Sequence, residues 1–163
     1  MPFVDLDEQI VAAEGRSIAE IFKVEGEASF RQLESVFLNK ATSGSKAVVS
    51  TGGGCVLSSG NRSLLRERCT VVWLDLSPEF AANRAEAGGT KSGKAKAGSG
   101  KAVGRNVQVP DVRPLLAGGD ILERMRALDI IRRPLYRECA DLVVQVEGKT
   151  PAAIVEELYA AMD

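Results

Sequence analysis

The chain has 163 residues, which is the size of one domain and enough to bury a core. Apolar residues make up 45%, charged residues 26% and the net charge is −1, so no overall field attracts nucleic acid or an anionic membrane. The chain contains no histidine, which excludes Ser-His-Asp and Cys-His catalysis and disfavours a zinc site. Proton transfer must then fall to a carboxylate, Lys or Tyr.

Cysteine usage and apolar patterning indicate where the protein resides. The three cysteines form no pairing pattern, which favours free thiols in a reducing compartment. The first residues lack the basic stretch followed by an apolar run that marks a signal peptide. No run is long and apolar enough to span a bilayer. We therefore expect a soluble, cytoplasmic protein that acts as a monomer.

The predicted elements alternate between strands and helices. Short β-branched runs predict four strands, at 3–5, 47–50, 70–76 and 141–146. The last two lack polar alternation, which is typical of strands covered on both faces. Helical patterns begin at 17 with a capping box and follow at 27–40, 61–68, 78–86, 121–132 and 151–162. This alternation predicts one α/β domain, spanning 1–163, with a mainly parallel sheet.

One segment breaks the pattern. Residues 88–112 contain six glycines and four lysines against a single acid, so they cannot pack a core and are predicted to form an inserted, flexible basic lid loop. The segment holds two stretches similar to a phosphate-binding loop. Ala95 and Ala102 stand where such a loop needs a hydroxyl, and no strand precedes them. A lengthened lid is the better interpretation.

Two acid-rich or glycine-rich turns follow predicted strands. Gly52, Gly53 and Gly54 come directly after the strand AVVS, where ligands bind in parallel sheets. They indicate either close backbone approach to a ligand or a tight turn, with equal weight. Asp5 and Asp7 close the first strand and suit a metal shell or hydroxyl ligands. Capping of the next helix is the stronger interpretation of that pair alone.

Arginines form the remaining signals. Arg31 and Glu34 share one helix face, so the carboxylate can hold a guanidinium fork towards a carboxylate ligand. A plain surface ion pair is the alternative. Arg113 and Arg132 stand in RPLL and RRPLY, shortly before prolines that fix the backbone. Both are open to interpretation as helix-terminal charges.

In this order, FVDLD, GRSIAEIF, FRQLE, STGGG, RPLLAG and RRPLY resemble shikimate kinases. The resemblance runs over the chain from residue 1 to its end, interrupted by the 88–112 insert. It implies a three-layer α/β/α fold of the nucleoside monophosphate kinase type. It also implies transfer of the γ-phosphate of ATP, with Mg²⁺, to the 3-hydroxyl of shikimate in aromatic amino-acid synthesis.

The resemblance assigns roles for the substrate side. Asp7 would bind the shikimate hydroxyls and accept the proton of the attacking one. Arg31 and Arg132 would clamp the shikimate carboxylate, and Glu34 would orient Arg31. The glycine turn, 52–54, would supply backbone contacts to the substrate. These roles fit phosphoryl transfer, which depends on positioning of the substrates and on concentrated positive charge.

The resemblance also assigns roles for the nucleotide side. Asp5 would touch the Mg²⁺ shell through water. Arg113, in the lid of the family, would reach the ATP phosphates and stabilise the transferring charge. Arg84 and Lys149 match positions near the nucleotide base.

Besides the 88–112 insert, the chain departs from the family in a second way. The family's first strand and G-x-x-G-x-G-K-[ST] loop would precede Phe3, so the fold is expected to lack its first strand and P-loop in this chain. We expect poor stability and negligible ATP turnover from the 163 residues alone. The leading hypothesis is a shikimate kinase whose sequence is truncated. The alternative is a non-catalytic, shikimate-binding pseudokinase. A gluconate-type kinase is weaker, because STGGG, FRQLE and RRPLY occur together.

Overall fold

A computed structural model of the chain describes residues 1–44, 46–88 and 120–162. The predicted lid loop, from residue 89 onward, and Arg113 lie outside the described residues. The described chain alternates strands and helices, as the sequence predicts.

The first half builds a strand-helix-helix-strand unit: β1 (Phe3–Asp5), α1 (Leu6–Glu14), α2 (Ile18–Thr42) and β2 (Val48–Ser50). Asp5 caps α1 by accepting hydrogen bonds from the backbone N–H groups of Asp7 and Glu8, at 2.9 and 3.2 Å. The predicted capping box of α2 is present, since Ser17 and Glu20 satisfy each other's backbone donors. Two local signals therefore fix where α1 and α2 begin.

The second half follows a short 3-10 helix (Cys55–Leu57) and α3 (Ser59–Arg68). It comprises β3 (Val72–Asp75), α4 (Pro78–Gly88), α5 (Ile121–Cys139), β4 (Leu142–Gln145) and α6 (Pro151–Met162). Asp120 caps α5 by accepting from the backbone N–H of Leu122 at 2.8 Å. The helix α5 contacts α3, α4 and the 3-10 helix, so it joins the two halves.

Strand pairing confirms the prediction of parallel strands but not that of one continuous sheet. Among the described residues, β1 pairs with β2 and β3 pairs with β4, as two parallel two-stranded sheets. The expectation that the later strands are covered on both faces is wrong for the described part of the chain. Leu74 and Val143 are each 49% exposed, because no further described strand or helix covers those side chains.

Helix bounds also differ from the sequence prediction. The helix predicted to end at Arg132 continues through Pro134 to Cys139, so the prediction of its end is wrong. Proline removes one backbone hydrogen bond and normally favours a break. Contacts further along the helix, from Arg133 to Asp75 and from Tyr136 to Gly53, hold the last two turns in place. In α2, Gly26 has φ 83° and kinks an otherwise continuous helix.

The core lies mainly in the first half. One cluster joins Leu6, Leu38, Cys55 and Leu65, and a second joins Ile10, Ile21 and Phe30. All three cysteines are free thiols, as predicted. In the described part of the chain, no helix is long and apolar enough to cross a membrane. The two clusters pack α1 against α2, and α2 also contacts the 3-10 helix that follows the turn after β2.

Candidate active site

The glycine turn follows β2 and lies between α2 and α5. Each of its three glycines lies close to a different side chain. The distances are measured from the Cβ atom that an alanine would have at each position. On Gly54 that atom would lie 2.5 Å from Cζ of Arg31, and on Gly52 it would lie 2.9 Å from Oε1 of Glu34. On Gly53 it would lie 2.9 Å from the hydroxyl of Tyr136. Glycine is thus required at each position for these side chains to approach the backbone.

Arg31 and Glu34 lie on one face of α2 and hydrogen-bond to each other. Glu34 is 1% exposed, whereas the Arg31 side chain is 19% exposed. Burial raises the pKa of Glu34, and the bond to Arg31 opposes this shift. A carboxylate buried to this degree, with an arginine as its partner, is not the plain surface ion pair that the sequence left open.

Arg31 has a second carboxylate partner. Its Nε and Nη2 donate to Oε1 of Glu27 at 3.2 and 3.0 Å. Glu27 lies one helical turn earlier, and its side chain is 46% exposed. All three nitrogens of the Arg31 guanidinium therefore donate to carboxylates of α2.

Arg132 reaches the same turn from α5. Its Nη1 would lie 3.5 Å from a Cβ on Gly53, and its charge lowers the pKa of Glu34. Its Nε is buried and has no hydrogen-bond partner among the described residues. A buried N–H donor without a partner is costly unless a ligand or water satisfies it.

Asp7 completes the cluster from the first turn of α1. Its Oδ1 would lie 3.6 Å from a Cβ on Gly52, and its charge raises the pKa of Glu34. Asp5 behaves differently, because its carboxylate caps α1. The helix-capping interpretation therefore holds for Asp5, and Asp7 is the acid that faces the turn.

Asp7, Arg31, Glu34 and Arg132, which we call the clamp, surround the glycine turn. They bring two guanidinium groups and two carboxylates around one stretch of exposed backbone. Guanidinium forks suit a carboxylate, and carboxylate oxygens accept hydrogen bonds from hydroxyls. Such an arrangement can hold a small ligand that carries an acid group and hydroxyls.

The remaining predicted residues lie on the second half of the molecule. Arg84 is exposed on α4, and Lys149 precedes α6 and pairs with Glu157. Among the described residues, no group of three or more Cys, Asp or Glu is arranged to hold a metal ion. The described residues by themselves therefore do not fit a metal centre.

Sequence reasoning missed Tyr136, although RRPLY contains it. Its hydroxyl donates to the carbonyl oxygen of Gly53 at 2.6 Å. Because α5 continues past Pro134, Tyr136 stands four residues after Arg132 on one helix face. Had the helix been extended through the proline, the i,i+4 spacing would have indicated this pair.

Comparisons with known proteins agree with the chemistry of the clamp. The family model described as shikimate kinase matches residues 1–101. A shikimate kinase of Symbiobacterium thermophilum is 36% identical over 157 residues, covering 96% of this chain and 79% of that protein. A shikimate kinase of Chromohalobacter salexigens is 40% identical over 156 residues, covering 96% and 74%.

Solved structures give the same answer. A shikimate kinase of Acinetobacter baumannii in complex with shikimate superposes with a TM-score of 0.77 at 31% identity, covering 99% of this chain and 78% of that one. A shikimate kinase of Aquifex aeolicus gives a TM-score of 0.69 at 28% identity, covering 99% and 82%. These matches confirm the α/β fold of P-loop kinases. The chain belongs to the shikimate kinase family and is by that membership a phosphotransferase of the kinase class.

Proposed function

We propose that the clamp binds shikimate around the glycine turn, so that ATP can phosphorylate its 3-hydroxyl. The observation that carries the proposal is the convergence of Asp7, Arg31, Glu34 and Arg132 on three consecutive glycines. Shikimate has one carboxylate and three hydroxyls, and these groups suit the guanidinium groups and the acids of the clamp in type. The shikimate complex of the Acinetobacter relative supports the choice of ligand.

The carboxylate of shikimate goes to the arginines. The buried Nε of Arg132 lacks a partner among the described residues, so a ligand carboxylate gives it one. Arg31 offers its fork once Glu27, which is exposed, releases it. Glu34 stays bonded to Arg31 and fixes its direction. A charge-assisted, two-pronged contact of this kind is among the stronger hydrogen-bonding arrangements in proteins.

The hydroxyls go to the acid side of the clamp. Asp7 lies at the start of α1, beside Gly52, where it can accept a hydrogen bond from the attacking hydroxyl. As that oxygen forms its bond to phosphorus, its proton can pass to the Asp7 carboxylate. The backbone of Gly52, Gly53 and Gly54 would line the substrate next to Asp7.

The proposal extends to the nucleotide and its metal ion. The family uses ATP and typically Mg²⁺, and these would supply the phosphoryl group and neutralise its charge. Arg113, Arg84 and Lys149 are proposed for the nucleotide, and Asp5 for the metal shell through water.

The test uses two ligands that differ in one group. Shikimate and its methyl ester are titrated into the 163-residue chain by calorimetry. The ester keeps every hydroxyl but has no charged carboxylate. We expect it to bind at least about 30-fold more weakly, since losing one partner of a desolvated charge pair costs about 2–5 kcal/mol. Equal affinities, or no binding of shikimate, would refute the carboxylate assignment.

Catalysis is tested separately from binding. Shikimate-dependent ADP release is measured with the protein. Release would support the kinase, whereas shikimate binding without ADP release would favour the non-catalytic alternative.

A further inference from the structure

Tyr136 is a half-buried polar side chain at the glycine turn to which the proposed function gives no role. Its hydroxyl donates to the carbonyl of Gly53 at 2.6 Å. The phenol ring stacks against Trp73, with centroids 5.6 Å apart and planes inclined by 33°. The ring is thus held by the second half of the molecule, while its hydroxyl reaches into the first.

The same hydroxyl lies beside Arg132. Burial raises the pKa of Tyr136, and the nearby positive charge of Arg132 opposes this shift. Arg132 Nη1 and the Tyr136 hydroxyl also approach the same point, 3.5 and 2.9 Å from a Cβ built on Gly53. The Arg132 guanidinium and the phenol oxygen therefore lie beside the same residue of the turn, and the phenol proton goes to the backbone carbonyl of Gly53.

We propose that Tyr136 is a positioning residue, which orients the Arg132 guanidinium towards the substrate carboxylate and holds the Gly53 carbonyl in place. This inference rests on the proposed function, because it presumes that Arg132 meets a carboxylate. Tyr136 itself does not touch the substrate. It acts by restricting two groups that do.

The physical reason is preorganisation. An arginine side chain has many rotamers, and fixing them when the ligand arrives reduces affinity. A phenol one helical turn away restricts the guanidinium before the ligand binds. The Gly53 carbonyl gains in the same way, because a turn of three glycines has more conformational freedom than other turns. Without the hydroxyl, both groups lose part of this restriction.

The test is Tyr136→Phe, which removes the hydroxyl and keeps the ring against Trp73. Tyr159→Phe is the matched control, since Tyr159 is 73% exposed on α6 and is the only other tyrosine. Shikimate and its methyl ester are titrated into both variants and the parent chain. We expect about 10-fold weaker shikimate binding in Tyr136→Phe, and no change in Tyr159→Phe.

We compare the variants by the ratio of shikimate affinity to ester affinity. This ratio distinguishes loss of positioning from a general loss of structure. A structural defect weakens shikimate and its ester equally, so the ratio stays at the parent value. Loss of Arg132 orientation weakens only the ligand that carries the carboxylate, so the ratio falls. In an Arg132→Ala background, Tyr136→Phe should change shikimate affinity by less than about twofold.

Gly53→Ala gives an independent route should Tyr136→Phe not fold. Its Cβ would meet the phenol oxygen at 2.9 Å and displace it, so the affinity ratio should fall as well. Gly44→Ala is the control, because its Cβ would have no neighbour within 4 Å. Tyr136→Phe removes that oxygen. In the Tyr136→Phe background, Gly53→Ala should therefore lower the affinity ratio by less than it does alone.

The outcomes are distinguishable. If the parent chain does not bind shikimate, the proposed function fails and this inference fails with it. If the parent chain binds shikimate but the ratio stays constant in Tyr136→Phe, Tyr136 does not position Arg132, and the proposed function stands. The same conclusion applies to Gly53→Ala if Tyr136→Phe does not fold. A lowered ratio, with both controls unchanged, supports the inference.

Discussion

Arg132 and Arg133 are adjacent on α5, yet they meet opposite surroundings. Arg132 turns to the glycine turn in the first half of the molecule, and its Nε has no partner among the described residues. Arg133 turns to the second half, where it contacts carboxylates, a carbonyl and an aromatic ring. Successive residues of a helix point about 100° apart, so one helix serves two sites.

The surroundings of Arg133 are those of a structural ion pair. Its Nε donates to Asp129 at 2.9 Å, and its Nη1 lies 3.0 Å from Asp75. Its Nη2 donates to the carbonyl of Leu76 at 3.3 Å, and its Cζ lies 5.2 Å from the centre of the Trp73 ring. Every nitrogen of this guanidinium is used within the protein, so it has little to offer a ligand.

The comparison teaches that a ligand-binding arginine is marked less by its charge than by hydrogen-bonding capacity that the protein leaves unused or satisfies only with an exposed partner. A fully paired arginine contributes to stability. A half-buried arginine with an unpaired donor destabilises the empty site, and a ligand removes that cost. The two arginines should therefore separate cleanly when stability and affinity are measured on the same variants.

The largest expected effect is that of Arg132→Ala on affinity. We expect shikimate binding to weaken by about 2–5 kcal/mol, because the ligand carboxylate loses its partner. Calorimetry of shikimate binding measures this, and thermal unfolding of the ligand-free variant should show little change. Unchanged affinity would remove Arg132 from the clamp and break the comparison.

Arg133→Ala should give the reverse pattern with a smaller effect. Asp75 is 7% exposed and would keep only Gln145, which donates to it at 2.7 Å. We expect the free energy of unfolding to fall by about 1–2 kcal/mol, measured by denaturant titration. Shikimate affinity should stay within about twofold of the parent chain. A loss of affinity equal to that of Arg132→Ala would contradict the division of roles.

Much of the fold was predictable, because its signals are local. The capping box at Ser17 and Glu20, and the strand-to-helix alternation, follow from short stretches of sequence. The end of α5 was not predictable in this way. Pro134 is a strong local signal for a break, whereas the contacts that carry the helix past it reach residues more than 50 positions away, such as Asp75.

The site, like the fold, was predictable only in part. The resemblance named Asp7, Arg31, Glu34 and Arg132, and the structure brings these four together around the glycine turn. The sequence could not say which arginine of RRPLY is paired. That depends on Asp129, Asp75 and Trp73, which converge on Arg133 through packing. Nor could it separate Asp5 from Asp7, because helix capping by Asp5 depends on where α1 begins.

Arg31 is intermediate between the two arginines of α5. It is held by buried Glu34, as Arg133 is held by Asp75, but its second partner is the exposed Glu27. An exposed pair one helical turn apart is worth about 0.3–0.5 kcal/mol, so a ligand carboxylate can displace it at little cost. Glu27 is therefore a weak competitor for the same guanidinium.

The smallest expected effect follows from this competition. Glu27→Gln removes the competing charge, so shikimate should bind about twofold more tightly. Glu25→Gln is the control, since Glu25 is also exposed but pairs with Arg16, at 2.6 Å. Calorimetry at low and high salt measures the gain, which should shrink as salt screens the pair. Weaker binding in Glu27→Gln would mean that Glu27 holds Arg31 in its binding position, and Arg31 would then depend on two acids where we assign one.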